Sequence, residues 1–157
     1  MQIRNATPED VLEIVRLIRA LADYEKLSHE VLATEEQLRE SLFGPRPAAE
    51  TVLAWLDRRA IGLAVFFSNY STFRGRAGLY LEDLFVEPAQ RGRGYGKALL
   101  RHVARLAVER GCERMEWSVL DWNTPAIEFY RGLGARPLED WTIYRLQGES
   151  LKQAVSG

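Results

Sequence analysis

The chain has 157 residues, of which 46 % are hydrophobic and 27 % charged, the profile of one soluble globular domain spanning 1–157. A net charge of −1 supplies no global field to recruit nucleic acid or a membrane surface. The single cysteine, Cys112, excludes an intramolecular disulfide framework, and the two histidines, His29 and His102, lack metal-ligand spacing with cysteine or acidic partners.

In chain order, "MQIRNA" alternates and predicts a first strand. "TPEDVLEIVRLIRALADYE" predicts a helix, with Thr7 as cap, Pro8 in the first turn and Val11, Ile14, Val15, Ile18, Leu21 and Ala22 on one face. A shorter helix is expected over Thr34–Phe43, then a loop marked by Gly44, Pro45 and Pro47. "TVLAWLD", "AIGLAVFFSNY" and "AGLYLEDLFV" read as an antiparallel meander joined by hairpin-length turns. A helix follows from about Tyr95 to Arg110, with Leu99, Leu100, Val103, Leu106 and Ala107 as its buried stripe. "RMEWSVL" predicts a strand, "NTPAIEFYRGL" a short helix, "RPLEDWTIYRLQG" one or two closing strands, and the tail a helical turn or two. Cys112, just past the long helix, reads as a small buried filler. The order predicts an α/β (α+β mixed) fold: a twisted, mostly antiparallel sheet of six to seven strands with helices on both faces. No run is long and apolar enough to cross a bilayer and no charged-then-apolar leader opens the chain, which points to a cytoplasmic protein.

Between the meander and the long helix stands "EPAQRGRGYGK", with glycines at 92, 94 and 96. Two phosphate motifs fail here. The mononucleotide loop needs a glycine five residues before Gly96, where Arg91 stands, and a hydroxyl after Lys97, where Ala98 stands. The dinucleotide pattern accepts Gly92 and Gly94 but meets Lys97 at its third glycine. What remains is a bare backbone leading into a helix start, whose unpaired N–H groups and positive dipole end form a cradle for phosphate or pyrophosphate. Arg91, Arg93 and Lys97 add mobile positive charge beside it.

"VEPAQRGRGYGKALL" resembles the acetyl-CoA loop of the GNAT N-acetyltransferase superfamily, with Arg91, Gly92, Arg93, Gly94, Tyr95 and Gly96 in the motif and Lys97 beside it. "NTPAIEFYRGLGA" resembles that family's second signature, and the order of elements is the family's order. "LADYE", "YLEDLFV", "DWN" and "FY" are similar to the diamine N-acetyltransferase branch, and "YSTFRGR" and "VLDWN" lie nearer its thialysine type. Polyamine enzymes of that branch carry Asp-Pro-Trp where this chain has Ser71-Thr72-Phe73, so an acid that would help bind a polycation is missing.

The resemblance implies acetyl-CoA as co-substrate, no metal, a small-molecule amine acceptor and a homodimer, with no nucleic-acid or membrane partner. It implies that Leu84, Phe85 and Val86 hold the pantetheine arm through backbone groups, with an oxyanion donor at Phe85 or a neighbour. It gives Asn123, Pro125 and Ala126 a part in the acetyl-CoA site and makes Tyr130 the general acid. It makes Glu82 the base or an ammonium ligand, and places Tyr24, Glu25, Asp83 and Trp117 near the acceptor. Elementary chemistry agrees with the residue types. An alkyl amine of pKa about 10.4 must lose a proton before attack, and no histidine is placed to take it. Glu82 and Asp83, adjacent in a regular strand, are expected on opposite faces. Tyr130 lies seven residues after Asn123, two helical turns on, and a phenol can protonate a departing thiolate. Polyamine or peptide-amine acetylation, and a non-catalytic acyl-CoA sensor, are the competing readings.

Overall fold

The computed structural model describes residues 1–155. It divides the chain into two compact units, one ending at Ser118 and one starting at Val119.

The first unit holds a five-stranded sheet in the order β1-β2-β3-β4-β5. Its strands are β1 (Gln2–Asn5), β2 (Glu50–Leu56), β3 (Arg59–Ser71), β4 (Arg76–Val86) and β5 (Met115–Glu116). The first four pair antiparallel and β5 joins β4 in parallel, so the sheet is mixed and mostly antiparallel. Three helices belong to this unit: α1 (Val11–Tyr24), α2 (Glu35–Phe43) and α3 (Tyr95–Glu109).

Strand alternation decides which helix meets which face. Leu63, Val65, Phe85 and Leu53 form one buried cluster with Ile14, Leu17 and Leu21 of α1. The other face is held by α3, whose Leu99 side chain reaches the neighbourhood of Gly62 and Val86. Leu99, Leu100, Val103 and Ala107 of α3 are buried, as their spacing predicts, while Leu106 is only partly so. Cys112 is half-buried rather than enclosed.

The starts of α1 and α2 are satisfied from within. Before α1, the buried Asp10 accepts from the Thr7 backbone N–H at 2.8 Å and from both guanidinium nitrogens of Arg4. At α2, Thr34 and Gln37 form a reciprocal capping box.

The strand count differs from the six to seven expected. β5 is two residues long, pairing only at Leu79 and Tyr80, where "RMEWSVL" predicts seven residues. The segment 136–148 carries no strand, and Trp141, Ile143, Tyr144 and Leu146 are exposed. A closing strand needs a partner edge along its length, and a two-residue β5 provides none.

The second unit contains α4 (Thr124–Arg131) and α5 (Glu149–Gln153), joined by irregular chain. Among the described residues, no helix is long and apolar enough to cross a membrane.

Candidate active site

Three stretches of the first unit supply the expected residues: the end of α1, the middle of β4 and the segment from β4 into α3.

The end of α1 is tightly determined. The Leu27 N–H donates to Ala22 O at 2.8 Å and the Lys26 N–H to Asp23 O at 3.1 Å, the two bonds of a Schellman ending. Lys26 takes the left-handed position, φ 62°, where glycine is usual. A side chain there costs about 1 kcal/mol. The ending fixes the course of the chain at Tyr24 and Glu25, both half-buried. Burial pushes the Glu25 carboxyl above its ordinary pKa.

β4 is not a regular strand. Val65 opposes Asp83 and Phe66 opposes Leu81, so Glu82 is an extra residue without a partner. A bulge of this kind interrupts the pleat and re-aims the neighbouring side chains. The expectation that Glu82 and Asp83 point to opposite faces rests on an unbroken pleat, and the bulge removes that basis. Glu82 is exposed and Asp83 half-buried. The Asp83 pKa is pushed up to about 6, first by burial, then by the negative charges of Glu82 and Glu25. The three carboxylates thus form one acidic neighbourhood, and none is in an ion pair among the described residues. An acidic cluster left unneutralised by its own protein suits a cationic ligand.

Among the described residues, no strand lies beside the edge of β4 facing away from β3 beyond Tyr80. Leu84, Phe85 and Val86 lie on this open edge. The Phe85 side chain is locked into the α1 face of the core, so what this stretch offers outward is backbone.

The chain then enters α3. Gly92 and Gly94 have φ 75° and 80°, the left-handed region. No atom stands within 4 Å of where a Cβ would sit at either, so glycine is needed for conformation and the space above is open. Gly96 lies in the first turn of α3 without positive φ. The first helical bond runs from the Ala98 N–H to Gly94 O at 3.0 Å, which leaves the N–H groups of Tyr95, Gly96 and Lys97 without a helical partner. No side chain caps this start and no acid stands in its first turn. Arg93 and Lys97 are exposed beside it and Tyr95 is half-buried.

Arg91 departs from the expectation of a mobile charge. Its Nε donates to Val86 O at 3.0 Å, and its guanidinium lies 4.1 Å from the Tyr24 ring centre and 5.6 Å from that of Phe85. It therefore ties the loop to the end of α1 through a cation–π stack.

Sequence reading missed Glu87. Its carboxylate, only 15 % exposed, accepts from Arg16 of α1 and, at 2.8 Å, from Arg59 of β3. These bonds anchor the mouth of the loop to the helix that carries Tyr24. The available signal was an acid placed directly before Pro88, where β4 ends.

In the second unit, Asn123 is buried and caps α4, its Oδ1 accepting from the Ala126 N–H at 3.4 Å. Pro125 occupies the first turn of α4. Tyr130 is half-buried, its ring centre 5.3 Å from that of Phe129. In the first unit, Trp117 is half-buried just past β5.

A bare helix start, a strand with an open edge and an acidic pair at a bulge all lie in the first unit. Residues 15–135 match the acetyltransferase (GNAT) family. The chain belongs to the GNAT acetyltransferase family. The matched residues include α3, its loop and α4. The thialysine N-epsilon-acetyltransferase of Bos taurus is 38 % identical, over 98 % of this chain and 96 % of that protein. The L-ornithine N5-acetyltransferase of Arabidopsis thaliana is 33 % identical, over 96 % of this chain and 86 % of that protein. Among solved structures, an integron cassette protein from V. cholerae superposes with a TM-score of 0.84 at 24 % identity, over 99 % of this chain and 98 % of that one. That likeness is one of fold, and with the family match it gives the chain the GNAT fold.

Proposed function

We propose that the protein transfers acetyl from acetyl-CoA to a side-chain primary amine of a small amino acid of the thialysine, ornithine or lysine kind. One observation carries this reading most: the uncapped start of α3 lies a few residues along the chain from an open-edged β4 bearing unneutralised acids. The first element suits an anion and the second a cation. Relatives named for thialysine and ornithine acetylation, aligned over nearly the whole chain, support the choice of acceptor.

In this reading residues 1–157 form one acetyltransferase domain, since the family match runs through both compact units. Acetyl-CoA supplies an activated thioester. The N–H groups of Tyr95, Gly96 and Lys97, with Gly92 and Gly94 keeping the approach clear, hold its pyrophosphate. Backbone groups of Leu84, Phe85 and Val86 hold the amide-bearing arm. A backbone N–H of this stretch stabilises the oxyanion that forms as the amine nitrogen attacks the carbonyl carbon.

Glu25, Glu82 and Asp83 receive the acceptor's ammonium, with Tyr24 and Trp117 packing around it. Glu82, exposed and unshielded, passes the ammonium proton to solvent through water. The amine lone pair then forms the new C–N bond, the nitrogen releases its second proton to solvent, and the C–S bond breaks. Tyr130 donates its phenolic proton to the departing thiolate and is reprotonated from solvent. Asn123 holds the start of α4 in register, with Pro125 and Ala126 completing that turn. A homodimer is part of the same proposal and is supported by family membership alone.

The test is CoA release from acetyl-CoA with thialysine, ornithine, lysine, diaminopropane, putrescine, spermidine and a short lysine peptide. Turnover on the amino-acid amines is expected. Preference for spermidine would move the acceptor to the polyamine class. Binding of acetyl-CoA with no turnover on any amine would leave a sensor and end the catalytic reading.

A further inference from the structure

Arg91 is held in place without being neutralised. Its Nε–H donates to Val86 O at 3.0 Å, and its guanidinium lies over the Tyr24 ring, 4.1 Å from the centre, with the Phe85 ring centre 5.6 Å away. Neither kind of contact uses the terminal nitrogens. Among the described residues these nitrogens have no hydrogen-bond acceptor and no carboxylate partner, and Arg91 is exposed. Other arginines of the same unit are paired: Arg4 with Asp10, Arg16 and Arg59 with Glu87, Arg110 with Glu50, and Arg114 with Glu116.

The surroundings carry the opposite sign. Tyr24 is followed by Glu25, whose negative charge reaches Asp83, as does that of Glu82. The end of α1 therefore lies beside a fixed cation and also beside a group of three carboxylates. Among the described residues the two do not close an ion pair. An arrangement with both signs present and unpaired suits a ligand that carries both signs at its own two ends. A guanidinium meets a carboxylate through parallel N–H bonds along its edge, and a ring stacked on its face leaves that edge open. The stack and the bond to Val86 O also restrict the side chain before any ligand arrives, which lowers the ordering cost of binding.

We propose that Arg91 reads the α-carboxylate of the acceptor and so selects amino-acid amines over diamines and polyamines. The proposal rests on the amino-acid acceptor reading given above. The side-chain ammonium enters among Glu25, Glu82 and Asp83, the aliphatic chain passes along Tyr24, and the carboxylate meets the terminal nitrogens of Arg91. A diamine offers the same ammonium but no anion. It leaves Arg91 unmatched and brings a second cation toward it, which disfavours binding.

The experiment compares ornithine, ornithinamide and putrescine, which present the same reacting amine with the carboxylate intact, neutralised or absent. kcat/KM is measured for each at saturating acetyl-CoA in the wild type, Arg91→Gln and Arg91→Lys, with the exposed Arg58→Gln on the β2–β3 turn as a control for net charge. The wild type and Arg58→Gln should prefer ornithine over ornithinamide by about tenfold, mainly through KM. Arg91→Gln should lose that preference, and Arg91→Lys should keep part of it, because the charge stays and the fork is lost. The ratio compares two acceptors on one protein, so a smaller folded fraction in a variant cancels. Equal rates of the wild type on ornithine and its amide overturn the proposal. So does an Arg91→Gln that slows all three acceptors alike with the ratio unchanged, which is the signature of a tether alone. Preference for spermidine over every amino acid would move the acceptor class without touching this ratio. If no amine is acetylated, the catalytic reading falls, and calorimetric titration of ornithine and ornithinamide onto the CoA-bound protein decides the carboxylate contact. Tighter binding of ornithine that Arg91→Gln removes supports it, and equal binding overturns it.

Discussion

Two helices of the first unit begin in opposite ways. α2 opens with Thr34 and Gln37 bonding each other's backbone, and two glutamates in its first turn answer the helix dipole. α3 opens with Gly94 in a left-handed conformation, no cap, no acid, and cations around it. The first helix start is complete in itself. The second leaves the N–H groups of Tyr95, Gly96 and Lys97 without a helical partner or a capping side chain. The acidic pair on β4 repeats the lesson with opposite sign: Asp10 and Glu87 are neutralised by arginines, whereas Glu25, Glu82 and Asp83 are gathered and left together. Where this chain leaves its own polar groups unmatched, a ligand is expected to match them.

The contrast can be broken by giving α3 the kind of start α2 has. Gly94→Asp places a carboxylate at the cap, and aspartate tolerates left-handed backbone, so the fold should survive. Acetyl-CoA affinity, read by calorimetry, should fall on the order of a hundredfold because like charges now meet. Unaltered affinity would remove the cradle. Tyr130→Phe separates binding from chemistry. It should keep acetyl-CoA affinity and lose about a hundredfold in kcat. An unchanged kcat would strip Tyr130 of the acid role.

Asp83→Asn probes the opposite charge. The folded-state pKa of about 6 lies above the ordinary 3.8, so the proton is held more tightly in the native protein. Its stabilising effect is complete below pH 3.8 and is lost as pH rises through about 6. At pH 7.5 the variant should therefore be more stable, by about 2 kcal/mol, in thermal or urea unfolding. The amine KM should meanwhile rise several-fold. In the wild type that KM should fall as pH rises through about 6 and Asp83 ionises, and the step should vanish in the variant. A step that persists would assign it to another group. Thr34→Ala completes the set with the smallest effect. It should cost about 1 kcal/mol of stability and leave acetyl-CoA affinity untouched.

Local pattern carried much of this into the sequence. The apolar stripes of α1 and α3 were legible because helical spacing is a property of neighbours, and so were the meander and the glycine loop. What was hidden depends on distant pairing. The bulge at Glu82 exists because Val65 and Phe66 skip a residue of β4, a register no local window contains. Arg91 looked like free charge because nothing in "AQRGRG" says that Tyr24 stands 4.1 Å away. Glu87 gave no hint of its two arginines, which lie 71 and 28 residues earlier. The closing strands were expected from β-forming residues, yet strands need an edge to join, and β5 ends after two residues.

The most direct measurement follows backbone amide shifts as acetyl-CoA is added to the labelled protein. The amides of Tyr95, Gly96 and Lys97 should move strongly, with Gly92 and Gly94 following, while Glu36 and Gln37 at the start of α2 stay in place. Shifts confined elsewhere, with the α3 start unmoved at saturation, would contradict the claim that this uncapped helix end is the acetyl-CoA seat.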